Sequence, residues 1–280
     1  MRFLLFILLL NIVILAKSSV WVVKSKDSEI YLGGSIHLLR ESDHPLPVEF
    51  EKAYSKSEIV VFETDIGMSR EEAQNLINQK GFYPDGISIK DKISKERYKK
   101  LQNYCDRVGF PILYIEKMKV PLAMFTLSLV EYQKLGIDDK LGVDMYFYKK
   151  SVEDNRSVDI FESVEEQMDF FVKMGEGKED LFVEKFLEDM KEQNSNLVKV
   201  IEAWRDGDDE VIIKYLLDLK KYPNTYEELV VNRNSNWMNK IEKFLATPKK
   251  EFIIVGVAHL VGEDGILKKL RDLGYEVKRF

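Results

Sequence analysis

The chain has almost no cysteine and very little histidine. Cys105 is the single thiol in 280 residues, which excludes an intramolecular disulfide and any multi-cysteine zinc or iron–sulfur centre. An excess of positive charge is also missing: 42 Lys and Arg stand against 48 Asp and Glu, a formal net charge of −6. That balance leaves nothing to neutralise a phosphate backbone, so nucleic acid is not an expected partner. No His-Glu-x-x-His helix, Gly-x-Ser-x-Gly elbow or phosphate-binding Gly loop is present, which argues against zincin, serine-hydrolase and P-loop chemistry. No Pro/Gly/Ser-rich linker or charge block divides the chain, so residues 19–280 read as one α/β domain. The apolar stretch 120–130 is too short to span a bilayer and reads as a buried core helix.

The first feature that is present lies at the N-terminus. Arg2 precedes an unbroken apolar run from Phe3 to Leu10, and Asn11 is the only polar interruption before Ala16. A span needs about 20 apolar residues, so this length suits the core of a signal peptide. Ala16 and Ser18 are small, as a signal peptidase requires, and cleavage after Ser18 leaves 40 basic against 48 acidic groups, a net charge of −8. Lys17 also suits the flank of an uncleaved anchor. Both readings of residues 1–18 place the rest outside the cytoplasm: periplasmic, secreted or at the cell surface. Membrane contact is expected only through this segment.

Beyond Ser18, the runs 20–23 and 29–32 are rich in β-favouring residues and flank a turn through Asp27, which predicts a hairpin. A helix over 45–57 and a strand over 58–62 follow. The C-terminus predicts the same series, a strand over 251–255, a helix ended by Gly274, and a last strand over 275–280. YLGGSIHLL (31–39) and IVGVAHLVG (254–262) share a strand, a Gly, two residues, His and Leu. The expected core is therefore a mixed β-sheet built from two strand-GxxH-helix-strand units at the chain ends, with a large helical insertion between them. Helical patterns fill 69–79, 94–108, 121–135, 143–150, 164–174, 178–204, 208–219, 225–231 and 236–245, interrupted by one strand at 157–161.

Two of the three histidines, His37 and His259, sit three residues past a glycine at the carboxyl end of a predicted strand. In open α/β sheets that rim is where ligands bind. The third, His44, precedes Pro45 and reads as a surface loop residue. Glu63 ends the strand that follows the His37 unit, so it belongs to the same rim. Two imidazoles and a carboxylate suit a divalent metal with positions left open for water and substrate, and such a metal acidifies water and polarises a carbonyl.

These residues resemble the TraB/GumN family, which includes TIKI-type metalloproteases and pheromone-shutdown proteins. The resemblance runs from about Ile30 to the C-terminus, on the paired Gly-x-x-His motifs and the strand end Val61-Phe62-Glu63. It continues through Leu141-Gly142-Val143-Asp144, Phe161-Glu162-Ser163-Val164-Glu165-Glu166-Gln167 and Trp204 with Gly207-Asp208. Arg233-Asn234 with Trp237, and Val255-Gly256-Val257-Ala258-His259-Leu260 with Gly262, complete it. The resemblance implies a fold like that of erythromycin-esterase and ChaN-type proteins, and metal-dependent peptide cleavage with manganese or cobalt, or else zinc. Carried over by position, His37, Glu63 and His259 hold the metal, Glu63 serves as ligand or base, and Arg233 stabilises developing negative charge. Asp144 and Glu162 match family positions as well. The expected partner is a peptide or protein substrate; the rival expectation is an exported binder that sequesters a peptide or haem without cleaving it.

Overall fold

The computed structural model describes residues 18–26, 28–220 and 225–280, apart from the side chains of 192–196. Residues 1–17 of the expected signal or anchor segment and the turn residue Asp27 lie outside the described residues. The architecture is mixed α/β around one six-stranded sheet in the order β4-β3-β5-β2-β1-β6. β1 (Val20–Lys24) and β2 (Glu29–Ser35) form the expected antiparallel hairpin. β2 pairs in parallel with β5 (Glu251–Gly256), β5 with β3 (Ile59–Phe62), and β3 with β4 (Ser157–Ile160). The fourfold parallel block puts four strand ends on one rim. β2 and β5 are buried along nearly their whole length, which explains why they read as continuous apolar runs. β6 (Glu276–Arg279) closes the far edge, antiparallel to β1.

The two repeated units diverge in detail. After β2 the chain passes His37 in irregular backbone, enters α1 (Val48–Lys56) and returns as β3 in parallel. After β5, His259 sits inside a one-turn helix, Val257–Leu260, followed by the helix Ile266–Asp272 and the antiparallel β6. The same sequence frame thus serves two local structures, because each closing strand finds a different neighbour.

The insertion begins with α2 (Arg70–Lys80), α3 (Lys95–Val108), α4 (Val120–Lys134), α5 (Val143–Glu153) and α6 (Val164–Lys173). Ser69, Ser94 and Ser163 cap three of these by accepting from the N3 backbone N–H, which is why the helices begin one residue after each serine. α7 (Glu179–Asp206) runs 28 residues, about 42 Å at 1.5 Å per residue. Its first half, with Val183 and Phe186, joins a core that includes Leu101, Cys105, Ile115 and Leu127. Its second half carries Ile201 and Trp204 into the main core. There Phe50, Phe147, Trp204 and Phe252 meet ring to ring over β5. Trp204 also donates Nε1–H to the Gly34 carbonyl at 2.6 Å, tying α7 to the end of β2.

The sequence pattern breaks the helix between 231 and 236, but the structure does not. After α8 (Asp209–Leu219), a π-helical segment, Glu227–Asn232, runs directly into α9 (Arg233–Leu245). The residues that read as a polar interruption are turned inward: Arg233 and Asn234 are both buried. A π-turn inside a helix often marks a functional site, because its extra residue re-aims the side chains around it.

Candidate functional site

The carboxyl ends of the parallel strands bring the site together. β3 and β4 both run into a Phe-Glu pair, Phe62-Glu63 and Phe161-Glu162, and the ladder continues through them: Phe161 N–H donates to Phe62 O at 3.1 Å and Glu162 N–H to Glu63 O at 3.0 Å. Two carboxylates therefore stand side by side, both buried. Bringing two such charges out of water is costly unless opposite charge and donors accompany them. α9 supplies both. Arg233 Nη2 donates to Glu63 Oε2 at 2.5 Å and to Glu162 Oε1 at 2.6 Å, and Nε donates to Glu162 Oε1 at 3.0 Å. The guanidinium also lies over the Trp237 ring, 4.8 Å from its centroid, and Trp237 Nε1–H adds a bond to Glu162 Oε2 at 3.2 Å.

The third nitrogen of this fork meets a histidine. Arg233 Nη1 lies 3.0 Å from His259 Nε2. A guanidinium can only donate, so Nε2 accepts and the ring proton resides on Nδ1, which donates to Asn234 Oδ1 at 2.7 Å. Asn234 is itself fixed by donating to the carbonyls of His259 and Asp264, at 3.0 and 2.9 Å. Burial pushes the His259 imidazole down to about 3, against the pull of Glu63, so the ring is neutral at physiological pH. Glu63 moves in the other direction. Burial alone would raise it, but the Arg233 charge, the imidazoles and a 2.6 Å bond from the Gly256 N–H outweigh burial and hold it well below the usual carboxylate range. For Glu162, burial prevails over Arg233 and the carboxyl is raised.

His37 closes the group from the solvent side, with 60% of its side chain exposed. Its Nδ1 bonds Asp144 Oδ2 at 2.7 Å, which turns Nε2 toward Glu63 Oε1 at 4.0 Å. The Asp144 carboxylate raises this imidazole to about 9, though solvent reaching the ring screens part of that pull. The structure thus brings all four expected residues, His37, Glu63, Arg233 and His259, into one cluster, and adds Asp144, Glu162 and Asn234 as the groups that orient them. Trp237 and Gln167, which reaches Glu63 Oε2 at 3.3 Å, complete the surround. The sequence signal for Glu162 is the Phe-Glu ending that β4 shares with β3. His44 stands apart, half-buried, with Nε2 bonded to the Leu141 carbonyl at 2.9 Å.

Among the described residues, no three His, Cys, Asp or Glu side chains form a ready-made metal cage. The donor chemistry around Gly256 nevertheless fits a divalent ion. A Cβ on Gly256 would meet Glu63 Oε1 at 3.3 Å, His259 Cδ2 at 3.6 Å and His37 Nε2 at 3.7 Å, so the missing side chain leaves a cradle where the three groups converge. Both imidazole Nε2 atoms lie near one oxygen, Glu63 Oε1, at 4.0 and 3.9 Å. Two donors that each bond one ion at about 2.1 Å can be at most about 4.2 Å apart, so both pairs are within reach. Asp144 and Asn234 hold the two rings by their other nitrogens, as the outer partners of metal-bound imidazoles do. The obstacle is Arg233, whose Nη1 takes the His259 lone pair that an ion would need.

The chain matches the TraB/PrgY/gumN family model over residues 19–279. It is 23% identical over 242 residues to the uncharacterized protein YbaP of Escherichia coli (strain K12), covering 86% of this chain and 87% of that protein. The YbaP of Shigella flexneri matches to the same extent. No solved structure matches the chain.

Proposed function

The chain belongs to the TraB/PrgY/gumN family, and from that premise we propose that it is an exported, metal-dependent hydrolase of peptide bonds. His37, Glu63 and His259 would hold the ion, manganese or cobalt before zinc. When bound, it supplies Lewis acidity that polarises a substrate carbonyl and acidifies water. The observation that carries this reading is the convergence of two imidazoles and one carboxylate on the bare Cα of Gly256.

The chain's own residues divide the remaining work. Glu63, held below the usual carboxylate range, stays ionised at neutral pH and is better suited to ligation than to taking a proton. Arg233 keeps a fixed positive charge beside the place where a tetrahedral oxyanion would develop, and removing one such donor typically costs about a hundred- to a thousandfold in rate. Asn234 sets the His259 tautomer with Nε2 unprotonated, and Asp144 aims His37 Nε2 at the cradle. His37 is the one open member of the cluster, so substrate and ion approach past its ring. Export rests on the apolar run 3–16.

A second reading, an exported binder that sequesters a peptide or haem, is favoured by one observation. Arg233 donates to both Glu63 and His259 Nε2, and so occupies the lone pair through which His259 would hold an ion. A peptide-library assay on the purified full chain, with manganese, cobalt and zinc added separately, decides between the two. The hydrolase reading expects cleavage with at least one metal, abolished by His259→Ala. Tight peptide binding with no cleavage under any metal would overturn it in favour of the binder.

A further inference from the structure

One segment of the helical insertion carries charge of the opposite sign to the rest of the chain. Residues 89–134 hold ten Lys and Arg against five Asp and Glu, a net of +5, while the remaining residues sum to −11. In the middle of this segment the chain leaves its helices. α3 ends on Gly109, in the left-handed region at φ 73°, and Pro111 leads into a single 3₁₀ turn, Ile112–Tyr114. That turn leaves Leu113 73% and Tyr114 65% exposed, the two most exposed large hydrophobic side chains among the described residues.

The turn is held in this outward position. Tyr114 N–H donates to Pro111 O at 3.1 Å, Ile115 N–H to Ile112 O at 3.0 Å, and Phe110 N–H to Cys105 O at 3.0 Å. Ile115, the next residue, is fully buried and anchors the base. Phe110 stands edge-on to Tyr114 at 5.6 Å and extends the apolar surface back toward α3.

Cations stand on both sides of this tip. Toward the end of α3 are the exposed Arg107 and Lys134, whose Nζ bonds the Val108 carbonyl at 3.0 Å. On the other side are the exposed Lys117, shortly past the turn, and Lys90, which pairs with Glu116. Of the nearby carboxylates, Glu116 is paired with Lys90 and Glu131 with Lys134, and Asp106 is exposed. The cationic surface continues from Arg107 into the cleft between α3 and α7, where Arg97, Lys100 and Lys191 line a cavity of about 600 Å³ together with Glu184 and Glu188.

We propose that the Ile112–Tyr114 turn is a docking tip for an anionic lipid bilayer, placing Leu113 and Tyr114 in the interface and Arg107, Lys117 and Lys134 against the headgroup phosphates. Two adjacent apolar side chains on a single exposed turn offer a protein partner little shape to complement, whereas a bilayer requires only apolar side chains and flanking cations. Tyrosine's amphipathic ring suits the headgroup level, and each Lys or Arg close to an anionic surface adds an attraction that salt screens. Among the described residues no helix is long and apolar enough to cross a membrane, so this contact is peripheral. It stands independently of the metal site.

The test uses the full chain carrying Leu113→Cys, labelled with an environment-sensitive fluorophore; the native Cys105 is buried and does not compete for the label. Vesicles of phosphatidylglycerol with phosphatidylcholine are compared with phosphatidylcholine alone. The label at 113 should brighten several-fold and shift to the blue on anionic vesicles, at a lipid concentration at least about tenfold lower than on neutral ones. Arg107→Glu with Lys117→Glu should raise that concentration by at least about tenfold, with the thermal melt unchanged because both side chains are exposed. A label at Leu217→Cys, exposed on the helix Asp209–Leu219, should not respond. This pair of labels separates the tip from residues 3–16, which could hold the chain on a vesicle without moving position 113 into it. An unchanged label at 113, an equal response at 217, or equal titrations on neutral and anionic vesicles would each overturn the proposal.

Discussion

β5 begins and ends on buried acidic chemistry, and the two ends behave in opposite ways. At its start, Glu251 is 1% exposed and its Oε2 has no hydrogen-bond partner among the described residues. Burial pushes its carboxyl up to about 7, and the nearby Glu58 charge adds to the rise. At its end, the Gly256 N–H and Arg233 hold Glu63 ionised in an equally buried place. The Glu251 end shows that burial of an acidic group does not by itself make a site. A site is distinguished by the donors gathered around the charge, and only the Gly256 end has them.

Arg233→Met is the most severe way to break this contrast. It leaves Glu63 and Glu162 buried without their counter-charge, as Glu251 already is, and should cost about 3 to 5 kcal/mol, a fall of roughly 10 °C in a thermal melt. A melt within 2 °C of wild type, with the fold intact, would mean that the guanidinium contributes little to holding the two carboxylates. Asn234→Ala is the next largest change. It strands the His259 Nδ1–H and the carbonyls of His259 and Asp264, so denaturant unfolding should show a loss of about 2 to 3 kcal/mol. Recovery of most of that loss in Asn234→Gln would argue against a geometric role for this amide.

Glu251→Gln sharpens the comparison from the other end of the strand and should stabilise the protein. The folded carboxyl titrates above its unfolded value, so its favourable contribution is complete below about pH 4.5 and is lost as pH rises through about 7. The variant should therefore match wild type near pH 4 and exceed it by on the order of 2 kcal/mol at pH 8. The sign is the reverse of that for Glu63, whose lowered carboxyl stabilises the fold at neutral pH and loses that contribution in acid.

The fold was readable wherever burial imposed a period on the sequence. β2, β5 and the opening hairpin announce themselves by apolar β-branched runs, and Ser69, Ser94 and Ser163 mark helix starts because their hydroxyls cap the N3 amides. The site was readable where a residue type is rare: with only three histidines, two in one frame point to the rim. The reading failed at 232–235. Asn232, Asn234 and Ser235 have the composition of a helix break, yet the chain stays helical because the amide of Asn234 finds three partners in the core that periodicity cannot see. The engagement of Arg233 with both carboxylates and with His259 was equally hidden, since it depends on bringing β3, β4, α9 and the helix after β5 to one point. Placing Glu63 and Glu162 side by side required knowing that β3 and β4 are parallel neighbours, which their separation in sequence does not state.

A metal centre at this rim depends on the cradle above Gly256, and a titration of the purified chain with cobalt(II), followed by its visible absorption, tests that cradle most directly. Wild type should bind one equivalent. His259→Ala should lose it, and so should Gly256→Ala, in which a single methyl fills the space at 3.3 to 3.7 Å from the three proposed ligand side chains. Gly256 has a negative φ of −48°, so alanine fits its backbone and the melt should stay near that of wild type. Cobalt bound with equal affinity by wild type, His259→Ala and Gly256→Ala, or not bound by wild type at all, would contradict a metal centre at this rim.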